Sequence, residues 1–249
     1  MKFLGKKTGW FYLLVPLLIL GALLPNDKVP DDPIETPSSA SPTPSISALI
    51  EPSPAQTPEI KTKAIRALEK LPIKGRAPKT GYSREQFADG WEYSFGCDTR
   101  NRILQRDLAS FELRAGSSCI VESGVLEDPY TGSTIDFLRG VQTSLEVQID
   151  HVVALSDAWQ KGAQKLSSMD RFRLYNDPLN LLAVDGGANS SKGDSDAASW
   201  LPSNKAFRCE YVARQIAVKL KYQLWLTAAE SSQMKQVLQQ CPKQKIPAG

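Results

Sequence analysis

The stretch that most narrows what this chain can fold into is residues 25 to 59. There "DDPIETPSSASPTPSISALIEPSPAQTPE" is rich in Pro, Ser, Thr and Asp. Such a composition buries too little apolar surface to offset the entropy of ordering it, and its prolines favour extended backbone. It reads as a disordered Pro/Ser-rich linker. Ahead of it, Lys2, Lys6 and Lys7 lead into an apolar run from Gly9 to Leu24. These are the charged and apolar regions of an export signal over residues 1 to 24. The run falls short of the ~20 residues of a spanning helix. Small residues suited to a cleavage site are sparse around Gly21 to Leu24. An uncut signal anchor, held in the membrane through residues 9 to 24, therefore stands as an alternative to a secreted form. Folding is left to residues 60 to 249, enough for one substantial domain.

Charge is close to balance, with 30 Lys and Arg against 27 Asp and Glu. The first 59 residues hold four of the positive and six of the negative charges, so the remainder is mildly basic at 26 against 21. Such a domain tolerates a polyanionic partner without demanding one. The four cysteines are Cys97, Cys119, Cys209 and Cys241, with no C-x-x-C pair among them. That spacing argues against a zinc ribbon, and export with an even count favours two disulfides. Three pairings are open in principle, and helix lengths choose one. "SNKAFRCEYVARQIAVKLKY" and "TAAESSQMKQVLQQC" both read as helices, the second capped by Thr227. From Cys209 to Tyr222 is 13 residues and from Thr227 to Cys241 is 14. At ~1.5 Å per residue both legs span about 20 Å. A short turn makes the helices antiparallel and brings Cys209 level with Cys241, leaving Cys97 to Cys119.

Within the domain, "SREQF" has a capping-box spacing from Ser83 to Gln86. "CDTRNRILQRDLASF" predicts a helix with Asp98 near its cap, carrying Arg100, Arg102 and Arg106. "CIVESGVLEDPYTGSTIDFL" predicts two strands around the turn at Asp128 to Gly132. The strand in "EVQIDHVVAL" follows, then a helical insertion over about 156 to 175, a short apolar strand "LLAV" at 181 to 184, and a small-residue turn into "NSSKGD".

The chain's only histidine, His151, follows Asp150 at a strand end. Adjacent strand residues point to opposite sides, yet a twisted end lets both serve one site. Asn180 stands at the mouth of the next strand, and Asn189, Lys192 and Asp194 follow it. This set suits phosphodiester hydrolysis. A near-neutral histidine can take a proton from water, and an Asp carboxylate with an Asn carbonyl offers two oxygen ligands to a hard divalent ion. Each residue also has a plainer use. His151 can be structural, Asp150 can pair with an arginine, Asn180 can hold a turn and Asn189 can cap a helix.

The motifs "CDTRN", "RDL", "DPYTG", "IDHVVALSDAW", "NDPLNLLAV", "SKGD" and "WLP", spread from Cys97 to Tyr222, resemble the HNH or ββα-metal nucleases. They are most similar to the branch named for the C-terminal domain of GmrSD restriction enzymes. The resemblance implies an α+β fold: a ββα-metal core with helical additions and an N-terminal helix and hairpin region. It implies His151 as general base, Asp150 and Asn189 as ligands of one divalent metal ion (magnesium, with manganese as the alternative), and Asn180 as the catalytic-motif asparagine that braces the loop and orients the histidine. It also assigns Lys192 to phosphate contact. Arg100 and Arg106 are candidate substrate contacts, against the reading of a solvated, ion-paired helix face. The expected substrate is nucleic acid, DNA ahead of RNA, cut with little sequence preference outside the cytoplasm. A ribonuclease and a catalytically inactive surface binding module are the alternatives, and nothing in the sequence indicates a protein partner.

Overall fold

The computed structural model describes residues 63–141 and 143–247. The export segment, the linker and the membrane-anchor alternative at 9 to 24 lie outside these residues. Among the described residues no helix is long and apolar enough to cross a membrane.

The fold mixes helices with small antiparallel sheets, in the α+β class. It starts with a short helix, α1 (Lys63–Leu68), then a 3-10 turn and a two-residue hairpin, β1 (Tyr93–Ser94) and β2 (Cys97–Asp98). Helix α2 (Thr99–Asp107) is capped by Asp98, whose carboxylate accepts the Asn101 N–H. A meander follows: β3 (Ala109–Leu113), β4 (Val121–Glu127) and β5 (Thr134–Leu138). Next come β6 (Val147–His151), α3 (Leu155–Gln160), α4 (Ser168–Asn176) and β7 (Leu181–Asp185), then α5 (Gly186–Lys192), α6 (Arg208–Lys221) and α7 (Ala228–Gln239).

Three sequence expectations shift. The helix expected to run to Phe111 stops at Asp107, because Asp107 turns its carboxylate to the Ala183 N–H at 2.8 Å and the chain pairs onward as β3. The insertion splits into α3 and α4 around Gly162, whose φ of 124° suits glycine. Ser83 makes no side-chain cap bond, so the capping box is absent and only a 3-10 turn forms at Arg84–Gln86.

Strands β6 and β7 pair antiparallel, with Asp150 opposite Leu182 and His151 opposite Leu181. Val147, Ile149, Leu181 and Ala183 pack with Ile103 and Leu104 of α2. Leu182 and Val184, on the other face, join Tyr211, Val212 and Ile216 of α6. Burial on both faces explains why "LLAV" is a continuous apolar run rather than an alternation. Each such side chain removed from water contributes ~1.5–3 kcal/mol. Helix α5 follows β7 directly, and Gly186 opens it where a Cβ would lie 2.0 Å from the Leu145 carbonyl oxygen.

The disulfides join Cys97 to Cys119 and Cys209 to Cys241. The second staples the first turn of α6 to Cys241, two residues beyond the end of α7. A largely buried charge cluster joins the helices that flank the β6–β7 pair. Lys161 reaches Asp157, Asp196 and Glu230 at 2.7, 2.7 and 2.6 Å. Lys219 reaches Asp157 at 3.2 Å and Glu230 at 2.8 Å, while Arg76 reaches Asp157 at 2.9 Å and Asp196 at 2.7 Å. Three cations balance three carboxylates and tie α3, α6 and α7 to the loop after α5.

Candidate active site

Asp150 and His151 end β6 on opposite faces, yet both line one cavity of about 270 Å³ together with Asn189, Arg84, Ser156 and Asp194. The strand end, not the strand body, makes this sharing feasible.

His151 is 5% exposed. Its ring stacks on Trp91, with centroids 5.7 Å apart and planes 14° apart, and lies 4.8 Å from the Tyr175 ring. Nε2 is 2.9 Å from the Tyr175 carbonyl oxygen. That carbonyl belongs to the last turn of α4, where helix geometry supplies no partner. A carbonyl only accepts, so Nε2 carries the proton and Nδ1 of the neutral ring is bare. Burial, then the Arg84 charge, push the imidazole down to about 4. The ring is therefore uncharged at neutral pH, as a proton acceptor must be.

The Asp150 carboxylate takes a hydrogen bond from Lys192 Nζ at 2.9 Å on one oxygen and a short one from the Tyr130 hydroxyl on the other. Burial and the neighbouring Asp150 raise the Tyr130 phenol well above its ordinary value, so it stays a donor. Lys192 is 1% exposed and also donates to the His151 carbonyl at 3.0 Å. This corrects its assignment to phosphate contact: the ammonium lies inside the protein, where it neutralises Asp150 and pins the end of β6.

Asn180 is fully buried and does not line the cavity. Its side-chain oxygen accepts the Val153 N–H at 2.8 Å and its amide donates to the Val153 carbonyl at 3.3 Å. The Val152 N–H donates to the Asn180 carbonyl at 2.8 Å. Asn180 thus continues the β6–β7 ladder past His151 with a side chain. It braces the 152–153 loop, and its side-chain hydrogen bonds go to Val153 rather than to the imidazole. On α5, Asn189 donates its amide to Gln148 Oε1 at 2.8 Å, which leaves its carboxamide oxygen for a ligand.

The two arginines expected at substrate are engaged elsewhere. Arg100 is half-buried and donates to the Val147 carbonyl at 3.2 Å. Arg106 donates to the Pro178 and Leu181 carbonyls at 2.8 and 2.7 Å and pairs with Asp107 at 2.6 Å. Neither lines the His151 cavity; both hold backbone together. The cation that does line it, Arg84, comes from the segment ahead of β1, far from His151 in sequence. No local motif marks it, because "SREQF" reads only as a helix start. Trp91, Tyr130 and Tyr175 were equally hidden as ordinary aromatics.

As a cation site, Asp150 and Asn189 offer carboxylate and carboxamide oxygens on one cavity, and each Asp150 oxygen accepts one bond while having lone-pair capacity for another. Among the described residues no three His, Cys, Asp or Glu side chains stand together as metal ligands. Zinc, which wants four N or S ligands in a closed site, does not fit this donor set. A hard ion such as magnesium, which keeps several waters and binds through one or two protein oxygens, does.

The family model for the C-terminal domain of GmrSD restriction endonucleases matches residues 98–237. A chain from Arthroderma benhamiae named "Uncharacterized secreted protein" is 34% identical over 201 residues, covering 79% of this chain and 95% of that one. No solved structure matches.

Proposed function

Because the chain belongs to the family of GmrSD restriction endonuclease C-terminal domains, we propose that it is a metal-dependent endonuclease acting on nucleic-acid phosphodiesters, DNA with little sequence preference, outside the cytoplasm. One observation carries the reading: the Tyr175 carbonyl fixes the proton on His151 Nε2, which leaves Nδ1 without one on a ring that lines the same cavity as Asp150 and Asn189. In this reading β6, β7 and α5 are the ββα-metal core.

His151 Nδ1 takes the proton of the attacking water, and the Tyr175 carbonyl holds the imidazolium that results. Trp91 and Tyr175 keep the ring from turning. Asn180 fixes the 152–153 loop and so the direction of the β6 end. Asp150 and Asn189 would hold one magnesium or manganese ion, with Lys192 and Tyr130 orienting the carboxylate. Such an ion, when bound, supplies charge stabilisation for the pentacovalent phosphate and the departing oxygen. Export is supported by the Lys-rich, apolar N-terminus and by the relative named as secreted.

A second reading, an inactive nucleic-acid-binding module, draws on Lys192 already neutralising Asp150. One experiment separates them. The full chain is incubated with plasmid DNA and with RNA across a metal series and in excess chelator. The nuclease reading expects DNA cuts scattered over sequence with magnesium or manganese, and none in chelator. Cleavage that persists in excess chelator, or no cleavage of either substrate, rejects it.

A further inference from the structure

Residues 76 to 92 bring Tyr82 and Arg84 to the cavity, and they precede the segment that the family model matches. They are strapped down along their length. Arg76 is paired with Asp157 and Asp196, and Lys79 with Asp194 at 3.0 Å. Trp159 Nε1 donates to the Thr80 carbonyl at 3.3 Å, Arg171 to the Gln86 carbonyl at 2.7 Å, and the Glu92 N–H to Asn176 at 2.9 Å. Tyr82, Phe87 and Trp159 pack edge to face or tilted beneath. A segment held at so many points presents its remaining side chains in fixed positions.

Arg84 is the cation this segment brings to the cavity. Among the described residues no carboxylate forms an ion pair with it, whereas Arg76, Lys79 and Lys192 each have an aspartate. One guanidinium nitrogen donates to the Tyr175 hydroxyl at 3.1 Å, and the group stands 5.0 Å from the Tyr175 ring centroid. Tyr175 is also the residue whose carbonyl holds His151. The same residue thus positions the bare histidine and the unpaired guanidinium. Arginine has five N–H donors in a planar fork suited to a phosphate, and among the described residues one of them is engaged.

We propose that Arg84 binds a backbone phosphate of the nucleic acid at the His151 cavity, so that the site is completed by a strap outside the family-matched segment. The proposal rests on the nuclease reading for its substrate class. A rival is that Arg84 only packs on Tyr175.

The test measures binding of a short fluorescent DNA duplex to the full chain in chelator, so that no cleavage occurs. Removing a charge-assisted phosphate contact should weaken binding about tenfold or more. Arg84→Gln should do this and lower the slope of log affinity against log salt by about 0.9. Arg84→Lys should keep the slope and lose part of the affinity. Because Arg84 is exposed, the melting temperature of both should stay near that of the unaltered chain. Unchanged affinity and slope in Arg84→Gln overturns the proposal, as does an unaltered chain that fails to bind the duplex. A chain that binds through Arg84 but never cuts with magnesium or manganese rejects the nuclease reading and leaves the phosphate contact standing.

Discussion

Replacing Lys161 by methionine removes the central cation of the buried cluster while keeping most of its stem. Three carboxylates, Asp157, Asp196 and Glu230, each lose a contact of 2.6–2.7 Å. Arg76 and Lys219 are then left to balance all three. Breaking a buried ion pair from one side costs about 3–5 kcal/mol, since the abandoned charge stays out of water. A domain of this size has ~5–15 kcal/mol of stability in total. Divided by a urea slope of ~2–3 kcal/mol/M, the loss moves the unfolding midpoint down by about 1–2.5 M. The assay is a urea titration followed by tryptophan fluorescence with both disulfides intact. Lys161→Met combined with Glu230→Gln removes one charge of each sign, and should recover part of the loss. The cluster also sets a pH window. Burial opposes ionisation of Asp157 and Asp196, but Lys219 and Lys161 prevail at the first and Lys161 at the second, holding both below the ordinary 3.8. Folded values below unfolded ones mean stability that is present above about pH 3.8 and is lost as pH falls through the folded values. Burial likewise opposes the Lys219 charge, yet Asp157 and Glu230 raise it above 10.5, so its contribution is complete below that and lost as pH rises through the folded value. A Lys161→Met loss under 1 kcal/mol, or further destabilisation by the second substitution, would refute this account of the cluster.

His151→Ala should lower the cleavage rate about 10²–10⁴-fold while the far-ultraviolet circular dichroism stays that of a folded chain; full specific activity would remove His151 from the chemistry. Asp150→Asn and Asn189→Ala should each weaken divalent-ion binding in calorimetry, the first more because it removes the charge, and equal binding by all three proteins would count against the two-oxygen site. Asn180→Ala leaves the Val153 N–H and carbonyl unpaired in the interior, at about 1–3 kcal/mol each, and should lower both the melting temperature and kcat; a lowered melting temperature with kcat intact would deny Asn180 its positioning role.

Features that depend on neighbours in sequence were readable without the structure. Thr227 accepts the Glu230 N–H and Asp98 the Asn101 N–H, as cap residues should. Matching helix lengths brought Cys209 opposite Cys241 because a turn converts equal length into adjacency. The Asp150, His151 and Asn189 grouping was legible as a motif of spacing. What was hidden depends on contacts between distant parts of the chain. Lys192 looks like a surface lysine until Asp150 is found above it, and its type says nothing about which way its ammonium points. Arg106 was readable as a cation on a helix, but not that the Pro178 and Leu181 carbonyls would use its donors. The charge cluster joins Arg76 to Asp196, two residues that any local reading leaves in solvent.

Gly186 sets the scale of the site. The backbone of α5 approaches the 145–148 turn so closely that a single methyl at this position would overlap the Leu145 carbonyl oxygen. Any side chain there would act as a shim between the helix and β6. Asn189 and Lys192 ride on that helix while Asp150 stays on the strand. The width of the gap between the two oxygen donors is therefore gauged by an absent atom three residues away from the nearer of them, and the chain can change that gauge only by moving the whole helix.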